Sequence, residues 1–202
     1  MFVQVIRGNV SDAEQVHAAL ERWMRDLAPG ASGWLGSTAG VTEDGRFVAL
    51  ARFESKEAAQ RNSDRPEQGA WWSEVSKAFT GEATFADSED VDVDLAGDPD
   101  TAGFVQVLAG RTTNAHRVRE LMDSSRDQMH AFRPDILGSL DVVQDDGRFT
   151  TALYFTSEQA AREGERKEPP AEVQRVMEEM NSLIGGEVEF LDLKNPWLYS
   201  PK

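Results

Sequence analysis

With 202 residues, 40% of them hydrophobic, the chain has material for one large core or two small ones, and its zero cysteines exclude disulfides, thiolate metal sites, a cysteine nucleophile and iron–sulfur clusters. The 21 Lys+Arg against 36 Asp+Glu give a formal net charge of −15 with no basic stripe, which argues against nucleic acid and against anionic membrane surfaces as partners. No charged leader precedes an apolar stretch and no apolar run approaches a membrane span, so a cytoplasmic location is expected.

In chain order, Phe2–Arg7 reads as a short strand ending at Gly8. A helix follows, capped by Ser11 or Asp12, with Val16, Ala19, Leu20, Trp23 and Leu27 at helical spacing and Pro29-Gly30 at its end. Two strands are then joined by Glu43-Asp44-Gly45-Arg46, where Asp-Gly supplies the positive φ of a tight hairpin turn. Ser55 caps a second helix that Pro66 interrupts and that restarts as Glu67–Phe79, and Glu82–Asp87 is a last strand.

From Phe104 the same order begins again. Sliding the sequence by 102 places aligns Phe2–Ala59 with Phe104–Ala161 without a gap, at 19 identities in 58. Composition alone would give roughly three or four, so the chain is an internal duplication. Phe104–Ala109 is the first strand of the second copy, and Asn114 caps a helix carrying Val118, Leu121, Met122, Met129 and Phe132. Asp145-Asp146-Gly147-Arg148 is its hairpin turn, Ser157 its second cap, Pro169-Pro170 its break, Ala171–Leu183 its restarted helix and Glu187–Leu193 its last strand.

The order βαββαβ is a ferredoxin-like unit, with two helices on one face of a four-stranded antiparallel sheet. On the third strand Phe47, Ala49, Ala51 and Phe53 alternate with Val48 and Leu50, so both sheet faces want burial. The expected fold class is therefore α+β: two tandem ferredoxin-like βαββαβ repeats packed sheet to sheet as an intramolecular dimeric α/β barrel. Residues 1–94 form repeat 1, 95–103 a linker and 104–202 repeat 2 with a C-terminal tail. The acidic run Asp87–Asp94 reads as solvated linker, with a hard-cation site as the alternative. The tail Asn195–Pro201 has no visible counterpart after repeat 1 and is expected to pack over a groove.

Element order, the two Asp-Gly-Arg-Phe hairpins and the phrases Phe53-Glu54-Ser55-Lys56-Glu57-Ala58-Ala59 and Phe155-Thr156-Ser157-Glu158-Gln159-Ala160-Ala161 resemble the antibiotic biosynthesis monooxygenase domains of the dimeric α/β-barrel superfamily, here as a tandem. The resemblance implies a cofactor-independent monooxygenase acting on a small aromatic or polyketide-like molecule. Alternatives within the same superfamily are a non-catalytic ligand-binding or stress-related protein, and a haem-binding or haem-degrading one. Haem chemistry in such relatives uses a second-helix histidine, and neither second helix here has one. His17, His116 and His130 lie on the first helices and read as surface or packing residues.

The copies differ where relatives place substrate: Arg52, Asn62, Trp71 and Trp72 in the first align with Tyr154, Gly164, Val173 and Gln174 in the second. The resemblance implies Asn62 and Arg52 as catalytic groups that stabilise a phenolate, with Trp71, Trp72 and Trp34 holding its ring and with no metal and no cofactor. The plain alternative makes Trp71 a core residue, Trp72 a rim residue and Arg52 the partner of Glu54 or a linker acid. On this reading the first copy is the better candidate for the site. The expected partner is a small aromatic molecule, and the pseudo-dimer is complete within one chain, a monomer or dimer in solution.

Overall fold

A computed structural model describes residues 1–201. The first copy comprises β1 (Phe2–Val10), α1 (Ala13–Asp26), β2 (Trp34–Val41), β3 (Arg46–Phe53), α2 (Lys56–Ser63), α3 (Pro66–Val75), β4 (Phe79–Ser88) and β5 (Asp90–Leu95). The second repeats it as β6 (Phe104–Arg111), α4 (Ala115–Phe132), β7 (Ile136–Val143), β8 (Arg148–Phe155), α5 (Glu158–Glu165), α6 (Ala171–Ser182), β9 (Glu189–Leu193) and β10 (Trp197–Tyr199). No helix among the described residues is long and apolar enough to cross a membrane.

Local chemistry sets these boundaries. Asp12 accepts from the Gln15 amide and Asn114 from the Arg117 amide, so each first helix starts on a side-chain cap. Ser55 and Ser157 cap α2 and α5 in the same way, through the amides of Ala58 and Ala160. Pro66 stands at the first position of α3, where its missing donor costs nothing. Gly45 and Gly147 turn the hairpins at φ 83° and 80°, a region that disfavours any residue with a Cβ.

Each sheet has five strands rather than the four expected, in the orders β10-β2-β3-β1-β4 and β5-β7-β8-β6-β9. The extra strand of each is supplied from outside its own repeat. β5 ends the first copy but pairs with β7, and β10 ends the second copy but pairs with β2 through Trp197↔Ala39 and Tyr199↔Ser37. Accordingly the two compact units are residues 1–91 with 195–202, and residues 92–194. Two expectations are corrected here. The acidic run is not a solvated linker, because Asp90-Val91-Asp92-Val93-Asp94 alternates with the period of a strand and extends a sheet edge that would otherwise stay open. The C-terminal tail has β5 as its counterpart and is a paired strand as well.

Within each unit the helices cover one sheet face, and the other face is also buried. Phe47 and Ala49 lie on the helix side of β3, while Val48 and Leu50 on the opposite side are both 0% exposed. In the second unit Val105, Val107, Leu140 and Ala152 form that opposite face, none more than 2% exposed.

Candidate functional site

Of the five side chains expected to form a site in the first copy, Trp34, Trp71 and Trp72 lie close to one another, but Arg52 does not join them. Arg52 has the strand parity of Val48 and Leu50, so it lies on the sheet face away from the helices. Trp34 and Trp71 pack on the helix side, in one cluster with Trp23, Ala51 and Phe53. Their polar atoms are already committed: the Trp71 indole N–H donates to the Ala19 carbonyl at 2.9 Å, and that of Trp34 to Ser37 Oγ at 3.0 Å. Trp72 packs between Phe79 and Phe85 at ring separations of 5.8 and 5.2 Å. Asn62 is buried and its Oδ1 accepts from Arg65 Nη1 at 3.0 Å, while the same nitrogen donates to the Leu27 carbonyl at the end of α1. Its contacts are those of a helix-end clamp.

The second unit holds a cavity of about 370 Å³ between α4, α6 and the helix side of its sheet. Its walls are largely apolar, with Leu108, Val118, Met122, Met129, Phe149 and Leu153 among them. None of Asn62, Arg52, Trp71, Trp72 or Trp34 lines it.

Paired positions explain why the space is open in one copy and closed in the other. Through α4 and the hairpin the 102-residue offset holds, so Ser125 stands where Trp23 stands in α1. Beyond the Pro169-Pro170 break the offset becomes 105. Val3↔Ser88 is matched by Val105↔Leu193, and the Ser11 amide bond to Ala78 by the Thr113 amide bond to Leu183. Trp71 and Trp72 therefore correspond to Val176 and Met177, not to Val173 and Gln174 as an ungapped alignment has it. On the edge strands the carbonyls of Tyr199 and Asp94 lie against the equivalent glycines Gly36 and Gly138, which pairs Tyr199 with Asp94 and Trp197 with Asp92. Five aromatic side chains of the first unit, Trp23, Trp71, Trp72, Trp197 and Tyr199, thus give way to Ser, Val, Met, Asp and Asp. The Ser125 hydroxyl bonds back to the Leu121 carbonyl of its own helix at 2.7 Å and leaves the vacated volume clear.

The cavity has one polar end, contributed by β5, α4, β7 and β8. His130 Nε2 lies 2.8 Å from Asp94 Oδ2, and Arg126 approaches Asp94 at 3.5 Å and Asp92 at 3.7 Å while bonding Asp123 at 2.7 Å. Asp92 Oδ2 is buried and accepts no hydrogen bond. Asp141 is 8% exposed and accepts from Ser139 Oγ at 2.7 Å and from Thr151 Oγ1 at 2.6 Å. Burial raises its carboxyl above the usual value of 3.8, opposed by those two hydroxyls and reinforced by the charges of Asp92 and Asp94. The first unit has none of this: Asp141, Thr151 and Arg126 correspond to Ala39, Ala49 and Met24. No three His, Cys, Asp or Glu side chains among the described residues gather as a metal ion requires.

From the sequence, His130 reads as a surface or packing residue and Asp92 and Asp94 as part of a linker, and neither Arg126 nor Asp141 stands out, because attention falls on the copy with the added aromatic rings. The available signal was the period-two alternation of Asp and Val in β5, which marks a strand with one acidic face.

No protein-family model matches the chain, and no curated protein matches it in sequence. Solved structures do match. A protein of Lactobacillus acidophilus NCFM described as a "putative monooxygenase" is similar at a TM-score of 0.69 and 13% identity, over 98% of this chain and 98% of its own. One of Fusobacterium nucleatum, described in the same words, gives 0.73 at 10% identity over 98% and 94%. An anthrone oxidase-like protein gives 0.68 at 11% identity over 98% and 92%. Over nearly its whole length, then, the chain has the α+β fold of these proteins, a tandem duplication of one ferredoxin-like unit.

Proposed function

We propose that the cavity of the second unit binds a small planar aromatic or polyketide-like molecule bearing an acidic hydroxyl or activated ring position, and that the protein oxygenates it with O2 and no tightly bound cofactor. The observation that carries this reading is the cavity itself: at about 370 Å³ it falls in the range of ligand pockets, and its apolar walls meet a few convergent polar groups at one end. The fold shared with proteins described as monooxygenases and with an anthrone oxidase-like protein supports the reaction class.

His130, held by Asp94, is the base placed to take a proton from the substrate. The resulting anion is electron-rich enough to give an electron to O2, and recombination of the two radicals forms a carbon–oxygen bond and a peroxide anion that takes the proton back from His130. The hydroperoxide so formed loses water across its O–O bond as the second hydrogen leaves the same carbon. A ring CH2 thereby becomes C=O, with one oxygen atom in the product and one in water. Burial raises the Asp141 carboxyl above its usual value and so favours its uncharged form beside the substrate anion. The apolar walls exclude water from the anion and from the radical pair. On this reading Asn62, Arg52, Trp34, Trp71 and Trp72 serve the packing of the first unit.

The test refills the cavity with the first copy's own residue. In Ser125→Trp, binding of anthrone, followed by calorimetry, and its O2-dependent conversion to anthraquinone are both expected to vanish, at a stability cost of about 1–3 kcal/mol for overpacking. Binding by the unaltered protein without oxygen uptake would leave a ligand-binding protein and end the enzymatic reading.

A further inference from the structure

The walls of the cavity differ in stiffness. The sheet contributes Ile136 and Val143 from β7 and Thr151 from β8, and branching at Cβ restricts each of them to few rotamers. The helices contribute Met122 and Met129 from α4 and Met180 from α6, half of the chain's six methionines. The paired positions of the first copy are Leu20 and Leu27, by the 102-residue offset, and Val75, by the 105-residue offset. Leu27 and Val75 are 9% and 4% exposed, and all three pack in the apolar clusters that close that copy. Three branched aliphatics of fixed shape in the closed copy are thus three unbranched thioethers around the open space. A methionine turns about three side-chain bonds, and its polarisable sulfur packs favourably against aromatic rings. Leucine fills about the same volume with a rigid fork.

We infer that Met122, Met129 and Met180 set the specificity of the cavity by making it adaptable, so that it takes flat aromatic molecules of differing outline, linear or angular, rather than a single shape. This rests on the cavity being the ligand site. The sheet wall supplies a constant surface on one side, and the helix wall rearranges to meet the outline of the guest. Methionines that only filled gaps in the packing would be replaceable by leucine with no consequence for ligand choice, so the two roles are separable.

Titration calorimetry on the full chain with 2-naphthol and the isomers 2-anthrol and 2-phenanthrol decides it. The isomers share one elemental composition and differ in outline, so they leave water at nearly the same gain and a difference in affinity reports fit. The unaltered protein is expected to bind the two within about threefold of each other. The triple variant Met122→Leu, Met129→Leu, Met180→Leu conserves volume and keeps the fold, and in it the isomers should separate by about tenfold or more. With methionine methyl groups labelled with carbon-13, the signals of Met122, Met129 and Met180 in the unaltered protein should take different positions in the two complexes, while that of Met24, packed in the first copy, stays in place. An isomer ratio that the triple variant leaves unchanged, cavity methyl signals that coincide in the two complexes, or binding of 2-naphthol with rejection of either isomer would overturn the role of the methionines while leaving the cavity as the ligand site. No binding of any probe, or binding that survives Ser125→Trp, would remove the cavity reading and this inference with it.

Discussion

The two units share an element order, a hairpin turn and a capping scheme, yet one is filled and the other is hollow. In the first, Trp23 meets Trp34 edge-on at 5.1 Å and Trp71 at 6.4 Å, and Trp197 from β10 stacks on His17. In the second, the positions of Trp23, Trp71, Trp72, Trp197 and Tyr199 carry smaller or acidic side chains, and a cavity opens under the same helices. Aromatic enrichment here marks the copy that is closed. Part of that difference arrives on the exchanged edge strands, with Trp197 and Tyr199 on β10 and Asp92 and Asp94 on β5.

The strongest way to break this contrast is to give the first copy the second copy's residue. Trp23→Ser removes a buried ring and its bond to Gln68, and should cost about 3–5 kcal/mol in urea unfolding. Probe affinity at the second unit should stay as it was. A cost below about 1 kcal/mol would mean that the first unit's aromatic packing contributes little to stability.

A smaller effect is expected at Asn62, the clamp on Arg65. Asn62→Ala leaves a partly buried guanidinium short of one acceptor and should cost about 1–3 kcal/mol with no change in anthrone turnover. Loss of turnover at unchanged stability would return Asn62 to a catalytic role. Gly164 shows the difference between copies at this position: a Cβ there would run into the Arg133 guanidinium, which donates to the Ala161 carbonyl.

The smallest effect concerns Asp141. Its folded-state carboxyl holds a proton more tightly than in the unfolded chain, so its contribution to stability is fully present below the usual value of 3.8 and is lost as pH rises through the raised folded value. Asp92 and Asp94 on β5 and Arg126 and His130 on α4 face this end of the cavity, with Ser139 and Thr151 bonded to Asp141 directly. Asp141→Asn abolishes the titration, so its stability relative to the unaltered protein should improve as pH is raised from about 4 toward 8. Urea midpoints across that range check the sign; a constant difference would show that Asp141 titrates alike in both states.

Much of the scaffold was legible because it is written locally. The Asp-Gly turns, the Ser55 and Ser157 caps and the breaks at Pro66 and Pro169-Pro170 each need only a few neighbouring residues to act. The candidate cavity was legible far less. Arg52 and Trp71 looked like partners in the sequence, but strand parity puts Arg52 on the far sheet face. Trp71 was matched with Val173 because the insertion before α6 shifts the true register by three residues. The Asp/Val alternation of β5 announced a strand, but its charge masked that signal.

The sequence by itself determined the duplication and the ferredoxin-like order within each copy, since repeated patterns of turn, cap and hydrophobic period are local and survive divergence. Only the tertiary structure decided that β5 and β10 complete sheets outside their own repeats, since strand partners are set by distant edges. It alone decided where space remains, because a cavity is a deficit of volume summed over helix, sheet and edge strand, and no single residue records it.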